Sequence, residues 1–245
     1  MEFIYIATFF VAFISSILSG IAGGGGGFLM APYWLIAGLT PSQGAATGAF
    51  MAVGMGGSAS LALRRSGNLT VSRNQMAVFI SIASLASIIG PATLQYIPVS
   101  SFKIALAVLT AVSIPFLFVK PKLHKSKNSH LKAYVLLVVT ITASSFITSS
   151  AFSILITIIL MQFFGMNSLQ SIATRRLIGT VQSLIILIIL VSLGSLVWQH
   201  AIAGFLGGIL GSYIGTKIAI KRGETFAKYA LAIGALIGAT ALFLV

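Results

Sequence analysis

The sequence predicts an all-α polytopic membrane protein of two inverted repeats, each with five helical segments. Three observations carry this expectation. The composition is too poor in charge to cover a water-soluble surface, hydrophobic runs alternate with glycine and polar breaks, and the second half repeats the first. Of 245 residues, 58% are hydrophobic and only 7% charged, whereas soluble globular chains carry roughly 25% charged residues.

A spanning helix needs about 20 mostly apolar residues. Such runs, or shorter ones, fall at residues 3–20, 27–38, 43–63, 73–96 and 101–119, then at 132–148, 151–164, 170–193, 198–220 and 226–245. The first run follows Met1 and Glu2 with no basic leader, so it reads as a retained segment and not as a secretory signal. The runs at 27–38 and 151–164 fall short of a full span and read as re-entrant or steeply packed short helices, which gives eight to ten membrane segments. Between the fifth and sixth runs lies KPKLHKSKNSHLK, with Pro121 and five lysines, an exposed loop by composition. The expected organisation is therefore a first repeat at 1–119, a basic linker at 120–131 and a second repeat at 132–245.

The net charge of +13 does not imply nucleic acid, because the cations collect in connections. Arg64, Arg65 and Arg73 flank the third break, five lysines lie from Lys120 to Lys132, and Lys217, Lys221, Arg222 and Lys228 surround the last connection. All fall on one side of an alternating topology, which the positive-inside rule places in the cytoplasm, with both termini outside an inner (cell) membrane. Glu2 and Glu224 are the only acids, and there is no Asp or Cys. Paired-carboxylate hydrolysis, a Ser-His-Asp triad, thiolate catalysis and carboxylate-bound or cysteine-bound metal all lack their parts. No enzyme, cofactor or metal is expected, and the state of assembly, homo-oligomer included, is left open.

The repeat appears at an offset of 127, where Gly38, Gln43, Ala46, Thr47, Leu63 and Gly67 coincide with Gly165, Gln170, Ala173, Thr174, Leu190 and Gly194. At an offset of 125, Ser87, Ile89 and Gly90 match Ser212, Ile214 and Gly215. Five segments per copy is an odd number, so the second copy enters the membrane from the opposite side. Transporters with this symmetry bind their substrate near the midplane, where helices are broken and their ends face the ligand.

The candidate site starts at Gly23, Gly24, Gly25, Gly26 and Gly27. Five adjacent glycines cannot hold a helix, at about 1 kcal/mol each relative to Ala. In lipid, the freed backbone groups must face protein or a water-lined cavity. A glycine break feeding a short helix presents amide N–H groups that suit an anion; close helix packing through small residues is the alternative. The aligned second-repeat stretch SSFITSSAFS offers hydroxyls, including Ser144, Ser149, Ser150 and Ser153, as donors to the same ligand or as back-bonds to their own helix. Gln43 with Thr47, and Gln170 with Thr174, lie one turn apart and share a face, lining a cavity or capping their helices. Arg175 and Arg176 follow directly. An intramembrane arginine is a functional hypothesis by default; adjacent residues diverge by about 100°, so one of the two is expected to face the cavity. His200 within a span reads as structural, and Trp34 as an interface or packing residue.

The stretches SGIAGGGGGFLMAP, GLTPSQGAATGA and FGMNSLQSIATRRLIG resemble the sulfite exporter TauE/SafE family of membrane permeases, over nearly the whole chain. The second half has no counterpart of the glycine cluster that many members carry there. The resemblance implies a secondary transporter, most simply an exporter, of sulfite, sulfonates or thiosulfate by alternating access. Its partners would be that small sulfur oxyanion or organosulfonate and the lipid bilayer, with no nucleic acid. An anion channel, a transporter of another small anion, a serine-based intramembrane enzyme and a non-transporting subunit are the rivals.

Overall fold

The computed structural model describes residues 2–24, 26–67, 71–116, 129–146, 150–222 and 226. Helices joined by short turns make up these residues, with no strand among them. The last expected segment, 226–245, lies outside them but for Phe226, as does most of the basic linker.

Helix α1 (Glu2–Ala22) stops where Gly23 adopts a φ of +70°. After the glycines, α2 (Gly27–Ile36) doubles back along α1. Ser15 Oγ donates to the Gly26 carbonyl at 2.7 Å, and the Tyr33 hydroxyl donates to the Ile4 carbonyl at 3.1 Å, so the start of one helix meets the end of the other. With ten residues, α2 is only ~15 Å long, about half the hydrocarbon thickness of a bilayer.

Helix α3 (Pro41–Arg65) and helix α9 (Ser168–Ser192) are twins in length, caps and flanks. Each has 25 residues, enough to cross a bilayer, and each opens with a reciprocal capping box, Thr40 with Gln43 in one and Asn167 with Gln170 in the other. Positive-φ glycines stand before and after both helices, Gly38 and Gly67 around α3, Gly165 and Gly194 around α9. The left-handed conformation favours glycine at such stops. The two helices pack antiparallel: Ala45 and Ala46 at the start of α3 meet Ile186 and Leu190 near the end of α9, while Leu63 meets Ile172 and Ala173.

The fourth expected segment is interrupted. Helix α4 (Arg73–Ala86) ends before Ser87, and α5 (Ile89–Thr93) continues after a bend into a 3-10 turn at Leu94–Tyr96. Pro91 explains the break, because it has no N–H to offer the Ser87 carbonyl one turn earlier. The second repeat has Thr216 at the matching position, and α10 (Trp198–Arg222) runs through unbroken. Helices α6 (Val99–Phe116), α7 (Ser129–Phe146) and α8 (Ser150–Phe164) complete the described chain. Five stretches are long and apolar enough to span a membrane, namely Phe3–Ile21, Pro41–Arg65, Arg73–Tyr96, Ser168–Ser192 and Trp198–Arg222.

Small residues set the closest helix approach. Along α10, Gly207, Gly211 and Gly215 lie against Phe9, Phe13 and Ile17 of α1, in the same order along both helices. A Cβ on any of the three would strike the α1 backbone, so the helices run parallel at a separation only glycine permits. Partners are exchanged between the halves: α10 packs on α1, and α4 and α5 pack on α7, where Gly90 meets the backbone of Ser145.

Candidate functional site

A cavity of about 210 Å³ lies between α2, α3, α8 and α9, reached also by Ser19 of α1 and Ser144 of α7. One water needs only about 10–15 Å³ of such space, so a small anion fits with several waters. The lining residues recur at the repeat offsets. Gly48, Ala49, Ala52, Met55 and Gly56 of α3 pair with Arg175, Arg176, Gly179, Gln182 and Ser183 of α9 at 127 residues. Gly27 and Met30 pair with Ser153 and Ile156 at 126, and Ser19 pairs with Ser144 at 125. Equivalent positions thus face one space, but their chemistry differs. The first half contributes Gly27, Gly48, Ala49, Met55 and Gly56 where the second contributes Ser153, Arg175, Arg176, Gln182 and Ser183, whereas Ser19 with Ser144, Met30 with Ile156 and Ala52 with Gly179 match in kind.

The arginines sit seven and eight residues beyond the first residue of α9 and are 8% and 5% exposed. Arg176 donates from Nη2 to the carbonyl oxygen of Ser19 in the last turn of α1. That carbonyl belongs to the group a helix end leaves unpaired, so the arginine caps the helix that the glycine run breaks. Arg175 lies beside the break itself. A Cβ built on Gly24 would come within 3.4 Å of its Cζ and Nη1, and within 2.9 Å of the Ser153 Cβ. Gly24 therefore gives the Arg175 guanidinium the room in which it meets the cavity. The Nε of each arginine is buried without a hydrogen-bond partner. Among the described residues, no acidic side chain lines the cavity.

Of the glycine run, Gly24, Gly26 and Gly27 line the cavity, whereas Gly23 is packed on the Ile172 side chain at its edge. Gly25 and Ser149 lie outside the described residues, and Ser150 is described only as the first residue of α8. Gln43 and Gln170 are not brought to the cavity. Their side chains accept from the backbone N–H of Thr40 and Asn167, both at 3.0 Å, and complete the capping boxes. Thr47 and Thr174 are fully buried between helices and absent from the lining. Thr174 Oγ1 donates to the Met166 sulfur at 3.6 Å, while Thr47 Oγ1 is buried without a partner.

Sequence reasoning passed over Gln182 and Thr180, and read Trp34 as an interface or packing residue although it lines the cavity. Gln182 Nε2 donates to Ser144 Oγ at 2.6 Å across the cavity wall, and the signal for it was an amide set deep in the apolar stretch TVQSLIILIIL. Thr180 Oγ1 donates to the Arg176 carbonyl at 2.7 Å and fits against Gly56. Trp34 stands between the cavity and His200, whose ring it meets edge-on at 6.0 Å. His200 Nδ1 is 2.8 Å from Thr8 Oγ1, tying α10 to α1 away from the arginines. No cluster of potential metal ligands occurs among the described residues. The chemistry available is that of a partly apolar chamber with a concentrated positive charge, suited to hold an anion.

Comparison with known proteins leads to the same place. The family model described as "Sulfite exporter TauE/SafE" matches residues 8–242. A "Probable membrane transporter protein" of Haemophilus influenzae is 26% identical over 226 residues, 90% of this chain and 87% of the relative. The "Probable membrane transporter protein YfcA" of Escherichia coli K12 is 23% identical, over 88% and 81% of the two chains. The "Probable membrane transporter protein ORF9" of a Sinorhizobium species is also 23% identical, over 95% and 88%. No solved structure matches significantly. The chain is a multi-pass membrane transporter and belongs to the sulfite exporter TauE/SafE family.

Proposed function

We propose that the protein is a secondary transporter, working as an exporter, of small sulfur-containing anions such as sulfite, sulfonates or thiosulfate, by alternating access. The observation that carries the reading is Arg175 at the broken end of α1, held against Gly24 in a cavity with no acidic side chain among its described lining residues. A binding region of guanidinium, hydroxyls and an amide favours oxyanions and disfavours cations, which call for carboxylates or converging carbonyls. The sulfur class comes from the family's printed description.

An inverted repeat is supported by the antiparallel packing of the twin helices α3 and α9 and by the exchange of partners between the halves. The paired cavity positions favour it too. Such symmetry gives a transporter two related conformations of opposite access. With the basic ends of α3 and α10 cytoplasmic and both termini outside an inner membrane, the inside-negative potential favours anion exit by about 2.3 kcal/mol per charge per 100 mV. Export then needs no coupled ion and no cofactor, and the protein performs no catalysis.

Proteoliposomes loaded with sulfite, thiosulfate, taurine or sulfoacetate test the proposal. Saturable flux of at least one, lost in Arg175→Gln, is the expected result. Flux of a cation in place of every sulfur anion would overturn it.

A further inference from the structure

The two walls of the cavity differ in a way that specifies the substrate further. At the repeat-matched positions, α3 and α2 present Met55, Gly48 and Met30, where α9 and α8 present Gln182, Arg175 and Ile156. The cationic and amide side chains lie on the second-half side. The methionines of the first half, with Met51 and Trp34, form one buried apolar cluster that borders the cavity. An inorganic oxyanion would leave that wall facing only water. A zwitterion such as taurine would bring an ammonium into a chamber whose described lining residues include two arginines and no acid. Like charges at close range in a low-dielectric site repel strongly, and an unpaired buried ammonium is costly.

We propose that the preferred substrate is an organic sulfonate with a short, uncharged, apolar tail. The sulfonate rests on Arg175, and the tail lies along the methionine wall. This inference rests on the sulfur-anion transporter reading above and narrows it. Met55 and Met51 are the specificity-determining residues: unbranched, polarisable thioether side chains adapt to tails of differing length. The polar wall fixes the head group.

Burial of one methylene is worth about 0.8 kcal/mol, close to a fourfold change in affinity. Isothermal titration of the detergent-purified full-length protein with methane-, ethane- and propanesulfonate should therefore show Kd falling about fourfold per added carbon. Taurine, the amino counterpart of ethanesulfonate, should bind at least tenfold more weakly than ethanesulfonate, and sulfite more weakly than propanesulfonate. In Met55→Ser the gain per carbon should shrink. In Arg175→Gln the whole series should weaken together.

A flat or inverted chain-length series, or taurine binding as tightly as ethanesulfonate, would overturn the tail inference while leaving sulfur-anion transport standing. If no sulfur anion bound at all, the transporter reading itself would fail, and this inference with it. A Met55→Ser variant with an intact far-ultraviolet circular dichroism spectrum that keeps the parent's gain of about fourfold per carbon would overturn the role given to Met55.

Discussion

Arg176 donates through Nη2 to the carbonyl oxygen of Ser19, so a cation on the ninth helix terminates the first. The contact joins residues 157 positions apart and holds the edge of the glycine break in place. Its neighbour Arg175 is left beside Gly24 and the cavity. Consecutive arginines are thereby placed differently, one capping a helix end and the other at the cavity where the proposed anion would sit.

That division predicts different phenotypes. Glutamine at 176 is too short to reach Ser19, and losing a buried charged hydrogen bond costs about 2 kcal/mol. Melting temperature should fall by roughly 4–8 °C, at 2–4 °C per kcal/mol for a chain of this size. Arg175→Gln should melt within about 2 °C of the parent or above it, since it removes a buried charge without an acidic partner. Differential scanning fluorimetry in detergent reads both. A melting point for Arg175→Gln well below that of Arg176→Gln would reverse the assignment.

Gly24→Ala should damage anion binding by more than a methyl group ordinarily does. The added Cβ would lie 2.9 Å from the Ser153 Cβ and 3.4 Å from the Arg175 guanidinium carbon, so one of these must give way. Displacing the cation should weaken sulfonate binding about tenfold, equivalent to about 1.4 kcal/mol. Titration calorimetry decides it, and an unchanged Kd would mean that the guanidinium moves freely and that Gly24 only packs.

Much of this arrangement was legible in the chain. The helix boundaries followed from hydropathy, and the glycine run marked the broken element because five glycines in lipid admit few other uses. The interruption at Ser87 was equally available from Pro91, but an apolar run from 73 to 96 masked it. Gln43 and Gln170 show where the reading ran out. A glutamine at the third helical position after Thr or Asn is a capping-box pattern, yet the same residue serves as a ligand if the helix starts elsewhere, and periodicity fixes helix starts poorly. Gln182 stands out as an amide in an apolar stretch, but its place at the cavity is not legible there, because which face of α9 meets α3 is decided by tertiary packing, through contacts such as Gly56 on Thr180.

For those two glutamines the expectation is therefore modest. Gln43→Ala and Gln170→Ala each lose half of a capping box, which costs about 1 kcal/mol or less. Flux in proteoliposomes should keep its half-saturation concentration within twofold while thermal stability drops slightly. A tenfold rise in half-saturation with unchanged melting would give them back a place at the substrate.

Alternating access makes a last prediction that also separates the transporter from its channel rival. Toward the start of α9, beyond the arginines, Leu63, Ile172 and Ala173 pack into a closed apolar cluster with Ile220 at its edge, and Gly23 seats on Ile172. Ala52 and Ser183, farther toward the other membrane face, line the cavity. The chain has no cysteine, so single-cysteine variants report without background. In vesicles of defined orientation, a membrane-impermeant maleimide should label Ala52→Cys from the face opposite the Arg64 and Arg65 loop, and Ala173→Cys from neither face at rest. An anion gradient that turns the transporter over should slow labelling at Ala52→Cys and open Ala173→Cys from the arginine-loop face. A channel would behave otherwise: its pore admits the reagent from both faces at once, and the two positions would gain or lose reactivity together. Reciprocal labelling is expected because the Leu63 and Ile172 contact must part for an anion at Arg175 to reach the cytoplasm, while the Trp34 side of the cavity closes over it.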